Sequence, residues 1–203
     1  MKEIVIVDYG LGNIGSLLNM FEYIGVQACV SNDANDIIDA EKLVLPGVGA
    51  FDYAMAKLEE KKLIEILNFK VVERSCPILG VCLGMQLMCR RSEEGVNPGL
   101  GWVEGDVKRI PSKPGLVIPH MGWNYVKQSK VSPLTQEFCS DSRFYFVHSF
   151  YVELATKTDE ILSCEYGSEF TCGFQVGNIY GVQFHPEKSH RFGKQLLSNF
   201  ADL

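Results

Sequence analysis

The sequence has no CxxC pair: its seven cysteines, Cys29, Cys76, Cys82, Cys89, Cys139, Cys164 and Cys172, are scattered and odd in number. Neither a disulfide scaffold nor a zinc knuckle is expected, and no metal or other cofactor. No apolar run approaches the ~18 to 20 residues of a membrane span, so no membrane partner is expected. The N-terminal stretch Met1 to Asp8 meets an acid too early for a signal peptide. Basic residues are in the minority, 19 Lys and Arg against 25 Asp and Glu, and a net charge of −6 argues against a nucleic-acid partner. Internal repeats, low-complexity tracts and linkers are missing as well. These absences leave a reduced, cytoplasmic chain in which cysteine is available as a nucleophile. At 203 residues, 46% apolar and 22% charged, it has the size and balance of a single globular domain covering 1–203.

The first half alternates two textures. Residues 4–7, 27–30, 42–45 and 77–81 are short buried-strand signals. Leu17, Met20, Phe21 and Ile24 recur at helical spacing before Gly25; one or two helices fit within 50–73, and another fits 83–90. That alternation predicts an α/β fold with an open, mostly parallel sheet flanked by helices on both faces. After about residue 100, runs rich in Val, Ile, Tyr and Phe (102–110, 144–147, 151–153, 161–165, 172–176, 179–184) are split by Gly, Pro, Asn and Ser. The second half therefore adds an antiparallel β-rich portion, with Gly177-Asn178 as a tight turn and a closing helix over 192–200.

Gly10, Gly12 and Gly15 match the spacing of a dinucleotide-binding fingerprint, and Asp33 could serve as its acid. The second half lacks a second mononucleotide-binding unit, however, and the chain is short for a dehydrogenase. A tight strand-to-helix turn is the expectation here.

Gly80-Val81-Cys82-Leu83-Gly84 carries more information. A buried strand runs straight into a helix, with a nucleophile at the join and a glycine two residues to each side. This is the cysteine form of the G-x-S-x-G elbow. The turn is strained and neighbouring backbone passes close by, so a Cβ on either flank would clash. A helix start favours an anionic sulfur, and the Leu83 amide can face a developing oxyanion. Most cysteines are simply buried, as Cys29, Cys89 and Cys164 are expected to be; the paired glycines set Cys82 apart. Of the four histidines, His185 is best placed as its base. It follows an apolar run, Pro186 stiffens its exit, and Glu187 lies two residues on, within reach of Nδ1.

Gly80 to Gln86, joined to Gln183-Phe184-His185-Pro186-Glu187, resembles the class I (triad-type) glutamine amidotransferases, with a flavodoxin-like fold, over essentially the whole chain. Within that family the closer likeness is to the glutaminase subunits of imidazole glycerol phosphate synthase. Asp8-Tyr9-Gly10-Leu11-Gly12-Asn13, Leu45 to Phe51 and Pro119 to Asn124 carry it. The resemblance implies that Cys82 attacks L-glutamine, His185 shuttles protons and Glu187 holds His185. It implies an oxyanion hole from Leu83 and from a strand at Val48 and Gly49. Gln86, Glu94, Ser149 and Phe150 would bind the amino-acid end of the substrate. His120, Met121, Trp123 and Lys188 would face a (β/α)8-barrel synthase in a heterodimer that receives the ammonia. Two other readings stay open: supply of ammonia for amidating a surface-polysaccharide sugar, and a non-catalytic regulatory or binding module on the same fold.

Overall fold

The computed structural model describes residues 4–203; residues 1–3, which open the N-terminal stretch considered above, lie outside the described residues. In chain order the elements are β1 (Ile4–Val7), α1 (Ile14–Tyr23), β2 (Ala28–Ser31), α2 (Ala34–Asp39), β3 (Lys42–Gly47), α3 (Phe51–Glu60), α4 (Leu63–Asn68), β4 (Ile78–Cys82) and α5 (Leu83–Leu87). There follow β5 (Arg91–Ser92), β6 (Gly105–Arg109), β7 (His120–Tyr125), β8 (Lys127–Gln128), β9 (Arg143–His148), β10 (Phe150–Leu154), β11 (Glu160–Tyr166), β12 (Ser168–Val176), β13 (Ile179–Val182) and α6 (His190–Ala201).

One mixed sheet runs β2-β1-β3-β4-β13-β12-β10-β6-β5, and β7 pairs with β9 in a small second sheet. The segment β2-β1-β3-β4-β13 is parallel throughout. Its central strands β1, β4 and β13 are buried along their whole length, as strands covered on both faces must be. Alternate residues divide the core. Ile4, Ile6, Val44 and Leu79 face Leu17 and Phe21 of α1 and Leu196, Leu197 and Phe200 of α6. Val5, Val7, Leu43 and Ile78 face Leu58 of α3 and Leu63 and Leu67 of α4. The α/β expectation, helices on both faces of an open sheet, therefore holds. Of the antiparallel strands of the second half, β12, β10 and β6 extend the same sheet, and β7 and β9 form the small second one. Among the described residues no helix is long and apolar enough to cross a membrane.

Several boundaries differ from the sequence reading, each for a local reason. The helix expected over 83–90 stops at Leu87, because the carbonyls of Leu87, Met88 and Cys89 accept from the amides of Leu100, Trp102, Val103 and Gly101 instead of from a further helical turn. The strand expected over 102–110 is confined to Gly105–Arg109. The run 179–184 leaves the sheet after Val182. Helix α2 was not anticipated, and Asp33 is its N-cap, accepting from the amides of Asn35 and Asp36. The acid considered for a ribose thus has a structural partner. Gly177, at φ +56°, makes the turn between β12 and β13 as expected.

Candidate active site

Cys82 ends β4 and begins α5 with φ 54° and ψ −110°, outside the regions an L-residue ordinarily occupies. Such a conformation costs on the order of 1 to 3 kcal/mol and persists only where its surroundings over-determine it. The flanking glycines are that determination. A Cβ on Gly80 would lie 2.8 Å from the backbone N and Cα of Met85, and one on Gly84 would lie 1.8 Å from the carbonyl oxygen of Leu45. Helix α5 can therefore lie flat against β3 and β4 only because both positions lack side chains.

His185 arrives from the neighbouring strand. Its turn is pinned by its amide donating to the Tyr145 carbonyl at 2.9 Å and by the Ser189 hydroxyl donating to its own carbonyl at 2.6 Å. Its Nδ1 lies 2.8 Å from Glu187 Oε1, and the same oxygen accepts from Asn13 Nδ2 at 2.8 Å. Both side chains of the His–Glu pair are almost fully buried. Burial alone would lower the His185 pKa, but the neighbouring Cys82 and the hydrogen-bonded Glu187 carboxylate outweigh it and push it up to about 10. Burial raises Glu187, yet the His185 and Asn13 hydrogen bonds prevail and hold its carboxyl below the ordinary glutamate value.

The sign of the linkage follows. A His raised above its unfolded pKa of about 6.5 contributes stability that is complete below that pH and is lost as pH climbs toward 10. Glu187, depressed, contributes stability present at neutral pH and lost only in acid. Between pH 7 and 10 the melting temperature should therefore fall through the His185 contribution. In Glu187→Gln the fall should be shallower by a few degrees. Parallel melting curves for the two proteins across that range would refute the pairing.

A pocket of about 490 Å³ opens over these groups, lined among others by Cys82, Leu83, Gln86, His185, Glu94, Val48, Gly49, Ser149, Phe150 and Lys188. A larger groove of about 900 Å³ beside β8 and β11 is lined by no histidine, so it brings no comparable nucleophile and base together. Val48 and Gly49 lie in the loop beyond β3, not in a strand as expected, because pairing with β4 ends at Gly47 opposite Cys82. Gly49 has φ +98°. Glu94 sits at the pocket rim, and its Oε2 accepts from the Phe51 amide at 2.9 Å. The loop after it is clamped by Asp52, whose carboxylate accepts from the amides of Val96 and Asn97.

Gln86, expected to help hold the amino-acid end of the substrate, lines the pocket and is bonded within the protein. Its Nε2 donates to the Phe150 carbonyl at 3.0 Å and to Gln183 Oε1 at 2.9 Å, which leaves Oε1 to face a ligand. His120 is corrected. It is buried, whereas Met121 (63% exposed) and Trp123 (44%) lie outside, since successive residues of β7 point to opposite faces. Lys188 is exposed, with Nζ 5.8 Å from the Tyr145 ring centroid.

Three residues at the site had no assigned role in the sequence reading. Asn13 occupies the N-cap position of α1 but gives its side chain to Glu187 and makes no cap bond. The Tyr9 hydroxyl donates to the Pro46 carbonyl at 2.7 Å, and burial, then the proximity of Cys82, raises its pKa. Gln183 Nε2 donates to Cys82 Sγ at 3.7 Å. Only Gln183 carried any signal, a buried polar residue within an otherwise apolar strand.

A strained cysteine beside a buried His–Glu pair in an open pocket is equipped for attack on a carbonyl and proton return to a leaving group. Comparison with known proteins narrows that chemistry. Residues 5–203 match the glutamine amidotransferase class-I family. Imidazole glycerol phosphate synthase subunit HisH 2 of Pseudomonas aeruginosa is 48% identical over 200 residues, 98% of this chain and 99% of that protein. The subunit of the same name from Methanococcus maripaludis is 50% identical over 197 residues, 97% of this chain and 98% of that protein. In fold, PurLQS from Thermotoga maritima superposes with a TM-score of 0.76 at 22% identity, over 100% of this chain and 99% of the other. With likeness spanning nearly every residue, the chain belongs to the class-I glutamine amidotransferases.

Proposed function

We propose that the protein hydrolyses L-glutamine to glutamate and ammonia through a thioester on Cys82 and hands the ammonia to a synthase subunit. Cys82 Sγ attacks the side-chain amide carbon. The oxyanion forms toward the amides of Leu83 and of the Val48–Gly49 loop, and His185 gives its proton to the departing ammonia. His185 then takes a proton from water, which cleaves the thioester and restores the thiol. Glu187, held by Asn13, keeps Nδ1 of His185 paired so that Nε2 remains the working nitrogen. Glu94 and the Oε1 of Gln86 accept from the substrate ammonium, and backbone at Ser149 and Phe150 meets its carboxylate.

The activity is that of the glutaminase subunit of imidazole glycerol phosphate synthase, in histidine biosynthesis. The observation that carries this is identity near one half along the full length to proteins of that name. Ammonia released into water at neutral pH becomes mostly ammonium, a poor nucleophile, so direct delivery to a docked acceptor preserves the reactive form. The acceptor is a (β/α)8-barrel synthase in a heterodimer, with Met121, Trp123 and Lys188 on the docking face. The gene should restore growth without histidine to a bacterium lacking this subunit. An electrophilic diazoketone analogue of glutamine should label Cys82 in the complex. Failure to complement despite normal labelling would reassign the acceptor; failure of both would remove the glutaminase reading.

A further inference from the structure

Gln183 is completely buried, and its carboxamide touches the reacting sulfur. The donor and acceptor roles along the bonds behind it can be worked out from one fixed point. The carbonyl of Phe150 can only accept, so the Nδ1 of His148, 2.8 Å away, carries a hydrogen. In a neutral imidazole Nε2 of His148 then has only a lone pair. It lies 2.9 Å from Nδ1 of His120, which must therefore be the donor. That leaves Nε2 of His120 as an acceptor, and Nδ2 of Asn124 lies 3.3 Å from it.

From the other direction the same Phe150 carbonyl accepts from Gln86 Nε2, whose second hydrogen goes to Gln183 Oε1. With its oxygen engaged as acceptor, Gln183 can present only N–H to Cys82. Every member has one workable orientation, and a flip of any carboxamide or a change of either tautomer leaves two donors or two acceptors face to face.

We propose that Gln183 is a catalytic residue, donating a hydrogen bond to the Cys82 thiolate, and that Gln86 is the positioning residue that holds its carboxamide in the donating orientation. The inference rests on the glutaminase reading for its purpose and adds a thiolate donor to the Cys–His–Glu set.

Two further features suit this chain. His120 is clamped between aromatic rings, 4.7 Å from Phe146 and 3.9 Å from Tyr166 centroid to centroid, so its ring plane is fixed. Burial pushes His120 down to about 4 and, foremost among several causes, His148 down to about 3, so both rings stay in the neutral form the bonding pattern demands. The far end of the chain, Asn124, also donates to the Glu165 carbonyl and lies on β7, the strand whose opposite face presents Met121 and Trp123.

The test is the pH midpoint of Cys82 alkylation by iodoacetamide on the full-length protein, followed on the Cys82 peptide by mass spectrometry so that exposed Cys139 does not interfere. The titrating and charged groups around the sulfur are His185 with Glu187 behind it, Tyr9 from the β1 side, and Glu94 and Lys188 at the rim. All of them stay constant across the variants. Gln183→Met keeps side-chain length and removes the donor. Its midpoint should rise by about one pH unit, and kcat for glutamine in the complex should fall on the order of tenfold, with KM changing far less.

Gln86→Leu, which strips Gln183 Oε1 of its donor and frees the carboxamide to turn, should shift the midpoint in the same direction. An unchanged midpoint in a folded Gln183→Met protein would overturn the proposal. Should that variant not fold, an unchanged midpoint in Gln86→Leu would do the same. The midpoint is read without glutamine, so its failure leaves the glutaminase reading standing. Absence of glutamine hydrolysis by the wild-type complex removes that reading and leaves the midpoint untouched.

Discussion

Cys82→Ala should abolish glutamine-dependent synthesis by the complex, by a factor on the order of 10⁴ or more, while synthesis driven by added ammonium salt persists. The magnitude follows from the unit character of a nucleophile–base–orienter set. Removing the nucleophile forfeits the covalent route altogether and leaves only what binding and the oxyanion donors provide. The persistence follows from division of labour, since ammonia supplied from solution bypasses every bond His185 and Cys82 make or break. The fold should tolerate the change. Cys82 is 7% exposed and sits under the open pocket, so alanine removes a sulfur that borders solvent-accessible space and leaves no closed core cavity. Its φ of 54° strains alanine and cysteine alike. Parallel steady-state assays with glutamine and with ammonium decide the matter. If both activities disappear in a complex that still assembles, the separation between the two subunits is wrong; if glutamine still supports turnover, Cys82 is not the nucleophile.

The parts of this site that were legible in the sequence are the parts made by near neighbours in the chain. Gly80, Cys82 and Gly84 lie within one strand-to-helix turn, and the steric demand on a tight turn can be read from which residues lack a side chain. His185 and Glu187 are two residues apart, so their 2.8 Å contact is a local consequence of the Pro186 turn. What escaped depends on tertiary juxtaposition. Asn13 meets Glu187 across 174 positions and Gln183 meets Cys82 across 101, and neither residue's sequence surroundings record its partner. An asparagine before an apolar-periodic run ordinarily caps the helix, which hides its other use. The resemblance assigned His120 to the partner face together with its neighbours Met121 and Trp123. The two-residue period of an extended strand puts it on the opposite side, but only once that segment is known to be a strand. The fold was legible for a similar reason. Strand and helix periods alternate clearly in the first half, whereas joining the antiparallel strands to the same sheet edge requires the β13–β12 pairing itself.

Gly84→Ala should be a severely damaging small substitution, and it separates two roles that glycine plays here. At Gly177 the backbone needs a left-handed φ of +56°, and a Cβ there would meet no atom within 4 Å. Alanine at that position costs about 1 kcal/mol of conformational strain and lowers the melting temperature by about 2 to 4 °C. At Gly84 the conformation is ordinary helix but the space is absent, with the Cβ falling 1.8 Å from the Leu45 carbonyl oxygen and 2.8 Å from its carbon. Leu45 cannot yield, because β3 is paired on one side with β1 and on the other with β4. The clash must be relieved by lifting α5 from the sheet, which breaks close packing over the whole turn. Overpacking of this kind costs on the order of 3 kcal/mol or more, about 6 to 12 °C in a domain of this length. The same lift carries Cys82, the residue immediately before α5, away from His185 and Gln183, so glutamine hydrolysis should be lost even at temperatures where the variant stays folded. Thermal melts of Gly84→Ala beside Gly177→Ala read the first effect, and a glutaminase assay well below both melting points reads the second. A Gly84→Ala protein as stable as Gly177→Ala, or one that keeps full turnover, would mean that the elbow does not depend on contact between α5 and β3.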